Sequence, residues 1–175
     1  MAIFNKNNKK EENNKPAETL SAIPAAGAAD TKSESGEGLD FNRYFLAERR
    51  IFLDNVSYET TKPEAGAQGY KLTAKDTIVA QLVGNTGVKV TYNRALKFDP
   101  DGPFTLSISY AVMLIFNPGT RDEIDWKTVD IAKEFQKNCG ALIGTMMSRT
   151  SLLIAEITSA AGQPPVIMGM PIAKQ

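Results

Sequence analysis

No histidine occurs anywhere in the 175 residues, and Cys139 is the single cysteine. The first absence removes the commonest general base, the Ser-His-Asp triad, Cys-His dyads and most zinc sites. The second rules out an intrachain disulfide and a thiolate metal site. The apolar neighbours of Cys139 mark it as a packing residue rather than a reactive thiol, and a chain without disulfides suits the cytoplasm. Net charge is missing too, since 20 Lys and Arg face 20 Asp and Glu. Nucleic-acid binders gain affinity by aiming many cations at phosphates, so a balanced chain argues against that class. No stretch is long and apolar enough to cross a bilayer. The opening Met1-Ala2-Ile3-Phe4 turns at once to Asn, Lys and Glu, unlike a signal peptide. There is no glycine-rich phosphate loop. The expectation is a cytoplasmic protein that is not an enzyme, has no cofactor, metal or catalytic residue, and works by binding.

What is present divides into an arm and a domain. Residues 1–40 are Asn, Lys, Glu, Ala, Ser, Gly and Pro with scattered large apolar residues. Such a stretch cannot bury enough surface to offset its ordering entropy, so it is expected to be a disordered N-terminal arm. Order is expected over residues 41–175.

Period-two alternation then sets in. In Arg50–Thr60, Phe52, Val56 and Tyr58 fall on one side, and Asn55, Ser57 and Glu59 on the other, as in a strand with one buried face. Pro63, Gly66 and Gly69 mark a loop. A second strand spans Tyr70–Val83, with its phase blurred near Lys75 and Asp76, and Gly84-Asn85-Thr86-Gly87 is a turn. The third strand is the clearest: Val88, Val90, Tyr92, Leu96 and Phe98 share one face with an odd Arg94, against Lys89, Thr91, Asn93, Ala95 and Lys97. After the turn Asp99-Pro100-Asp101-Gly102, the fourth strand directs Phe104, Leu106, Ile108, Tyr110, Val112 and Leu114 inward. Its end carries Ala111, Met113 and Ile115 on the other face, which suggests cover on both sides. The Asp-Pro-Asp-Gly turn lacks the later ligands of a calcium loop.

Beyond Asn117-Pro118-Gly119 the period changes. Trp126, Val129, Ala132 and Phe135 step by three, consistent with a short helix opened by Asp122, Glu123 and Asp125. Leu142, Ile143, Met146, Met147, Leu153, Ile154 and Ile157 recur at helical spacing in a longer helix from about Cys139. Gly162 sits where a C-terminal cap belongs, and Pro164-Pro165 forbids continuation. An extended apolar piece, Val166 to Ile172, follows. Strands first and helices after mean α+β, with a four-stranded antiparallel meander and the two C-terminal helices packed on one face. Methionines cluster late in the chain; unbranched and polarizable, they suit either core gaps or a surface that accepts many apolar partners.

Two segments resemble a known family. Arg50-Ile51-Phe52-Leu53-Asp54-Asn55-Val56-Ser57-Tyr58-Glu59 is similar to the first strand of the SecB-type protein-export chaperones. Ala161-Gly162-Gln163-Pro164-Pro165-Val166-Ile167-Met168 looks like that family's exit from its long helix. The order of four strands, crossover loop, short helix and long helix is also alike. The resemblance implies a molecular chaperone, an ATP-independent holdase that binds unfolded polypeptides or preproteins through an apolar groove and forms a dimer or tetramer. Position by position, it implicates Phe116, Trp126, Leu142, Met146 and Met147 in client binding. On the first strand, Glu59 matches one of the family's two acidic residues for the translocase motor SecA. Asn55 replaces the other, and Lys89 and Lys97 sit on the same face, which weakens a SecA-docking role. The chain also stops soon after Pro164-Pro165, without the family's usual C-terminal helix. The alternatives are a SecB-like chaperone of a toxin–antitoxin system, a structural or assembly subunit that pairs with itself or a fixed partner, and an enzyme built on Lys, Tyr, Asp or Ser.

Overall fold

The structure, a computed structural model, describes residues 38–63, 65–66 and 69–168. The expectations for residues 1–37 and 169–175 lie outside them. The architecture is α+β, as expected. A four-residue helix, α1 (Phe41–Tyr44), precedes strands β1 (Ile51–Thr60), β2 (Lys71–Val83), β3 (Gly87–Asp99) and β4 (Phe104–Ile115). A 3-10 turn at Arg121–Glu123 leads to helices α2 (Ile131–Asn138) and α3 (Gly140–Ala160).

All strand pairs are antiparallel, and the sheet order is β1-β4-β3-β2. Strands β2, β3 and β4 form the expected meander. Strand β1 does not stand beside β2; it lies against β4, at the opposite edge. Just after β1, Thr61 is held to the β3–β4 turn, donating its N–H to Pro103 O at 2.9 Å and its hydroxyl to Gly102 O.

Strand β1 departs from simple alternation in a second way. Its register against β4 shifts between Leu53 and Asn55, so Asp54 is an extra residue. A bulge of this kind flips every side chain on one side of it. Phe52 therefore pairs with Ala111 on the outer face, together with Asn55, Ser57 and Glu59, and not with Val56 and Tyr58 as alternation predicts. Leu53 takes the inward place beside Tyr110. Asp54 reaches Lys89 at 2.6 Å on the outer face.

The helices lie on the inner face. One apolar cluster joins Val88, Val90, Tyr92, Val112 and Leu114 of the sheet to Phe135 and Met146 of the helices, with a group of aromatic rings at the top. Phe45 stacks on Phe116 at 5.3 Å between centroids, and Phe116 meets Trp126 at 4.7 Å. A second cluster, Leu96, Phe104, Leu106, Ile108 and Ile154, fills the lower end. Each large side chain fully buried here contributes about 1.5–3 kcal/mol.

Between the clusters sits Arg94, the odd residue of the third strand. It is 3% exposed and holds Asp76 with two hydrogen bonds of 2.7 Å. Its third contact is to Ser151 Oγ on α3, at 3.1 Å. The Asp76–Arg94 cross-strand pair explains the blurred phase in β2: Asp76 faces inward because its partner does.

The helix starts differ from the three-residue spacing. Helix α2 begins at Ile131, where the Asp130 carboxylate accepts Lys133 N–H at 3.1 Å. Trp126 and Val129 precede it in irregular chain. Helix α3 ends as expected, with Gly162 at φ +75°. Ala111 is fully buried on the outer face, and the chain near Leu46 runs past the top of β4, where Leu46 N–H bonds Ile115 O at 2.8 Å.

Gly87 ends the β2–β3 turn for a steric reason, because a Cβ there would stand 2.0 Å from Leu114 O. Gly87→Ala must push strands β3 and β4 apart. We expect a loss of about 1–3 kcal/mol, read as a shift of the urea midpoint; an unchanged midpoint would mean that β4 is not packed there.

Candidate functional site

Strand β2 is the sheet edge that borders the helical layer. It pairs with β3 on one side, and among the described residues no strand pairs with the other. Its upper half, Ile78 to Val83, is apolar on the inner face and, apart from Gln81, on the outer face too. Ile78, Ala80 and Leu82 pair with inward-facing Tyr92, Val90 and Val88. Val79, Leu82 and Val83 are 51%, 41% and 39% exposed. An open strand edge offers a row of unpaired backbone N–H and C=O groups, and proteins commonly blunt it with lysine. Here Lys71 and Lys75 occupy the lower half only.

Against the upper half of β2 stands the segment between the 3-10 turn and α2. Two adjoining hollows lie between them. One, of about 270 Å³, is lined by Ala80 and Leu82 on the strand and by Trp126, Val129 and Ile131 opposite. The other, of about 190 Å³, is lined by Leu82, Phe116, Ile124 and Trp126. Leu82 and Trp126 belong to both. Trp126 is fixed by its Nε1–H, which donates to Arg121 O at 2.7 Å. Arg121 in turn holds Asn85 Oδ1 at 2.7 Å, tying the segment to the β2–β3 turn. The result is an apolar trough beside an unpaired strand edge, rimmed by Asp122, Asp125, Lys127 and Asp130.

The five residues singled out for client binding separate. Phe116 and Trp126 are brought together in this trough, although only 4% and 8% of each is exposed. Met146 is fully buried in the upper cluster, so its side chain is core and lines neither hollow; a helical stripe of methionines does not say which member faces inward. Leu142 and Met147 flank that cluster half-buried, without lining either hollow. Ala80, Leu82, Ile124, Val129 and Ile131 were not identified from the sequence. The one available signal was the apolar run Ile78 to Val83, broken only by Gln81, in a strand whose phase was hard to assign.

Asn55 and Glu59 both lie exposed on the outer face of β1. Lys89, on the same face, is engaged by Asp54 next to Asn55. The acidic character there is therefore confined to Glu59 and a neutralised Asp54. Cys139 is buried, and burial pushes its thiol pKa up. Among the described residues, no cluster of cysteine or acidic side chains is placed to hold a metal ion. No helix there is long and apolar enough to cross a membrane.

No family model and no curated protein matches the sequence. Among solved structures, the chain is similar to a SecB-like chaperone of Mycobacterium tuberculosis, solved in complex with a ChAD peptide from the HigA1 antitoxin. The match has a TM-score of 0.52 at 14% identity and covers 74% of this chain and 92% of the other. The fold is SecB-like. A protein of unknown function from Streptococcus agalactiae also matches, with a TM-score of 0.32 at 14% identity over 70% of this chain and 96% of that one. In this SecB-like fold, the trough lies where the helical layer meets the free edge of the sheet.

Proposed function

We propose that this chain is a SecB-like molecular chaperone, an ATP-independent holdase that binds unfolded polypeptide in extended form along β2. The observation that carries this reading is the apolar trough set beside an unpaired strand edge. An extended segment can add to β2 through backbone hydrogen bonds while alternate side chains enter the two hollows. Backbone pairing is blind to sequence, and apolar hollows select only for size, so many clients qualify. The work is binding rather than catalysis and needs no cofactor. A peptide in complex with the mycobacterial neighbour supports a polypeptide partner.

Self-association belongs to the same proposal. Helix α3 has only Arg149 and Glu156 as charged residues, Leu152 on it is 63% exposed, and Leu53 and Val56 on β1 are 49% and 39% exposed. Exposed apolar surface of this extent marks an interface, so we expect a dimer or tetramer by light scattering. Binding to SecA is disfavoured, because Asn55 and the engaged Lys89 replace an acidic surface. Service in the cytoplasm, to preproteins or to an antitoxin, is compatible with the trough. An assembly subunit would use the same exposed surfaces for a fixed partner.

The test is aggregation suppression on several unrelated denatured proteins, with the full chain and with Leu82→Asp. Leu82 is part-exposed, so a carboxylate there is tolerated by the fold but not by an apolar client. We expect about five-fold weaker suppression, the loss of roughly 1 kcal/mol of client burial. Thr60→Asp, exposed on β1 at the opposite edge of the sheet, should leave suppression unchanged. No suppression of any client by the unaltered chain would overturn the holdase reading and favour the assembly subunit.

A further inference from the structure

The lower end of the inner face carries a second apolar surface, and the chain's own C-terminal segment is seated on it. After α3, Gly162 turns the chain, and Gln163–Met168 follows without regular secondary structure. Val166 and Met168 are half-buried against the cluster of Leu96, Phe104, Leu106, Ile108 and Ile154. Ile167, between them, is 83% exposed. One side chain in, one out, one in is the spacing of an extended strand.

What holds this strap is slight. Gln163 N–H bonds Thr158 O at 3.0 Å, and beyond it, among the described residues, no backbone–backbone hydrogen bond reaches residues 164–168. Pro164 and Pro165 have no N–H to give. Val166 N–H donates to the hydroxyl of Thr158 at 3.0 Å. Thr158 is fully buried and donates its own hydroxyl to Ile154 O at 2.9 Å. The strap is thus held by two part-buried apolar side chains and one bond to a side-chain acceptor. A separate extended segment can make every one of these contacts.

We infer that this surface is a second polypeptide-binding site, for extended segments with large apolar side chains at alternate positions, and that Gln163–Met168 is its resident occupant. Half-buried Tyr58, Leu72, Phe98 and Leu153 border the same cluster and extend the surface past the strap. A tethered occupant acts at a high effective concentration, in the millimolar range for a short link. A client must therefore outcompete it, and the site opens only to segments that bind better than the strap. The role for clients rests on the chaperone reading; the occupancy rests on the contacts alone.

The experiment uses the full chain carrying Val166→Asp with Met168→Asp, which should lift the strap, and Ile167→Asp as a control on its exposed side. The probe is a fluorescent peptide with the sequence of residues 161–172. We expect it to bind the lifted variant about five-fold more tightly than it binds the unaltered chain or the Ile167→Asp control. A denatured client should displace it. Equal affinity for all three proteins would overturn the proposal. Should the double variant fail to fold, the milder Val166→Ala with Met168→Ala weakens the strap while leaving the surface beneath it and the probe unaltered, and peptide binding must then tighten about two-fold; no change would overturn it equally. Peptide that no denatured client displaces would overturn the client role of this surface, whereas failure of the trough is read separately from Leu82→Asp.

Discussion

Replacing Met146 with Ser should cost about 3–5 kcal/mol of stability, whereas Met147→Ser should cost less than about 1.5. The two residues are neighbours in sequence and identical in chemistry. They differ in where α3 points them: Met146 is fully buried between helix and sheet, and Met147 is half-buried on its flank. Truncating Met146 leaves a cavity in the upper cluster and places a hydroxyl among aromatic and aliphatic side chains. Urea unfolding of both variants at neutral pH measures the difference directly. Equal, small losses would mean that α3 is rotated and that Met146 reaches a surface after all.

Asp76→Asn should cost about 3 kcal/mol. Removing one partner from a buried ion pair strands the other charge, at about 3–5 kcal/mol; the lower figure applies because the Asp76 side chain is 35% exposed, and water can partly take over. Arg94, at 3% exposed, has no other carboxylate among its hydrogen-bond partners. The double change Asp76→Leu with Arg94→Met should be less damaging than Asp76→Asn alone, because it leaves no stranded charge. The pair also predicts a pH dependence. The hydrogen bonds from Arg94 hold the Asp76 carboxyl below its ordinary value of 3.8. A folded-state pKa below the unfolded one stabilises fully above the unfolded value, and the contribution is lost as pH falls through the folded value. Stability should therefore decline below about pH 4, and Asp76→Asn should flatten that decline. Glu134, whose pKa is lowered first by the N–H of Leu39, adds to the same acid limb. A decline of unchanged slope in Asp76→Asn would show that the pair is not formed.

How much of this was legible depended on the kind of signal. The third strand and the first half of the fourth were plain because one face is largely buried and the other mostly polar, so the alternation of Val88, Val90 and Tyr92 against Lys89, Thr91 and Asn93 survives in the sequence. Strand β1 was legible as a strand but not in its facing, because a bulge costs one residue and leaves no compositional trace: Phe52 and Leu53 are both large and apolar, and only pairing with β4 tells which is inside. The start of α2 was misplaced because Trp126 and Val129, in turns, keep the same three-residue spacing as the helix that follows. The trough was half legible. Phe116 and Trp126 were identified, but their partners on β2 come from a strand whose edge position is a fact of topology alone.

Local pattern thus determined the class: with strands before helices and a proline stop after a glycine cap, the chain is α+β. These are properties of single residues and of neighbours a few positions apart, where sterics and burial act within one element. Tertiary structure alone decided that β1 joins β4 rather than β2, that Arg94 is buried against Asp76, that Met146 is core while Leu82 opens to solvent, and that Val166 and Met168 lie on the lower cluster. Each of those outcomes depends on which of several apolar surfaces meet, and a residue's own identity does not name the surface it will meet.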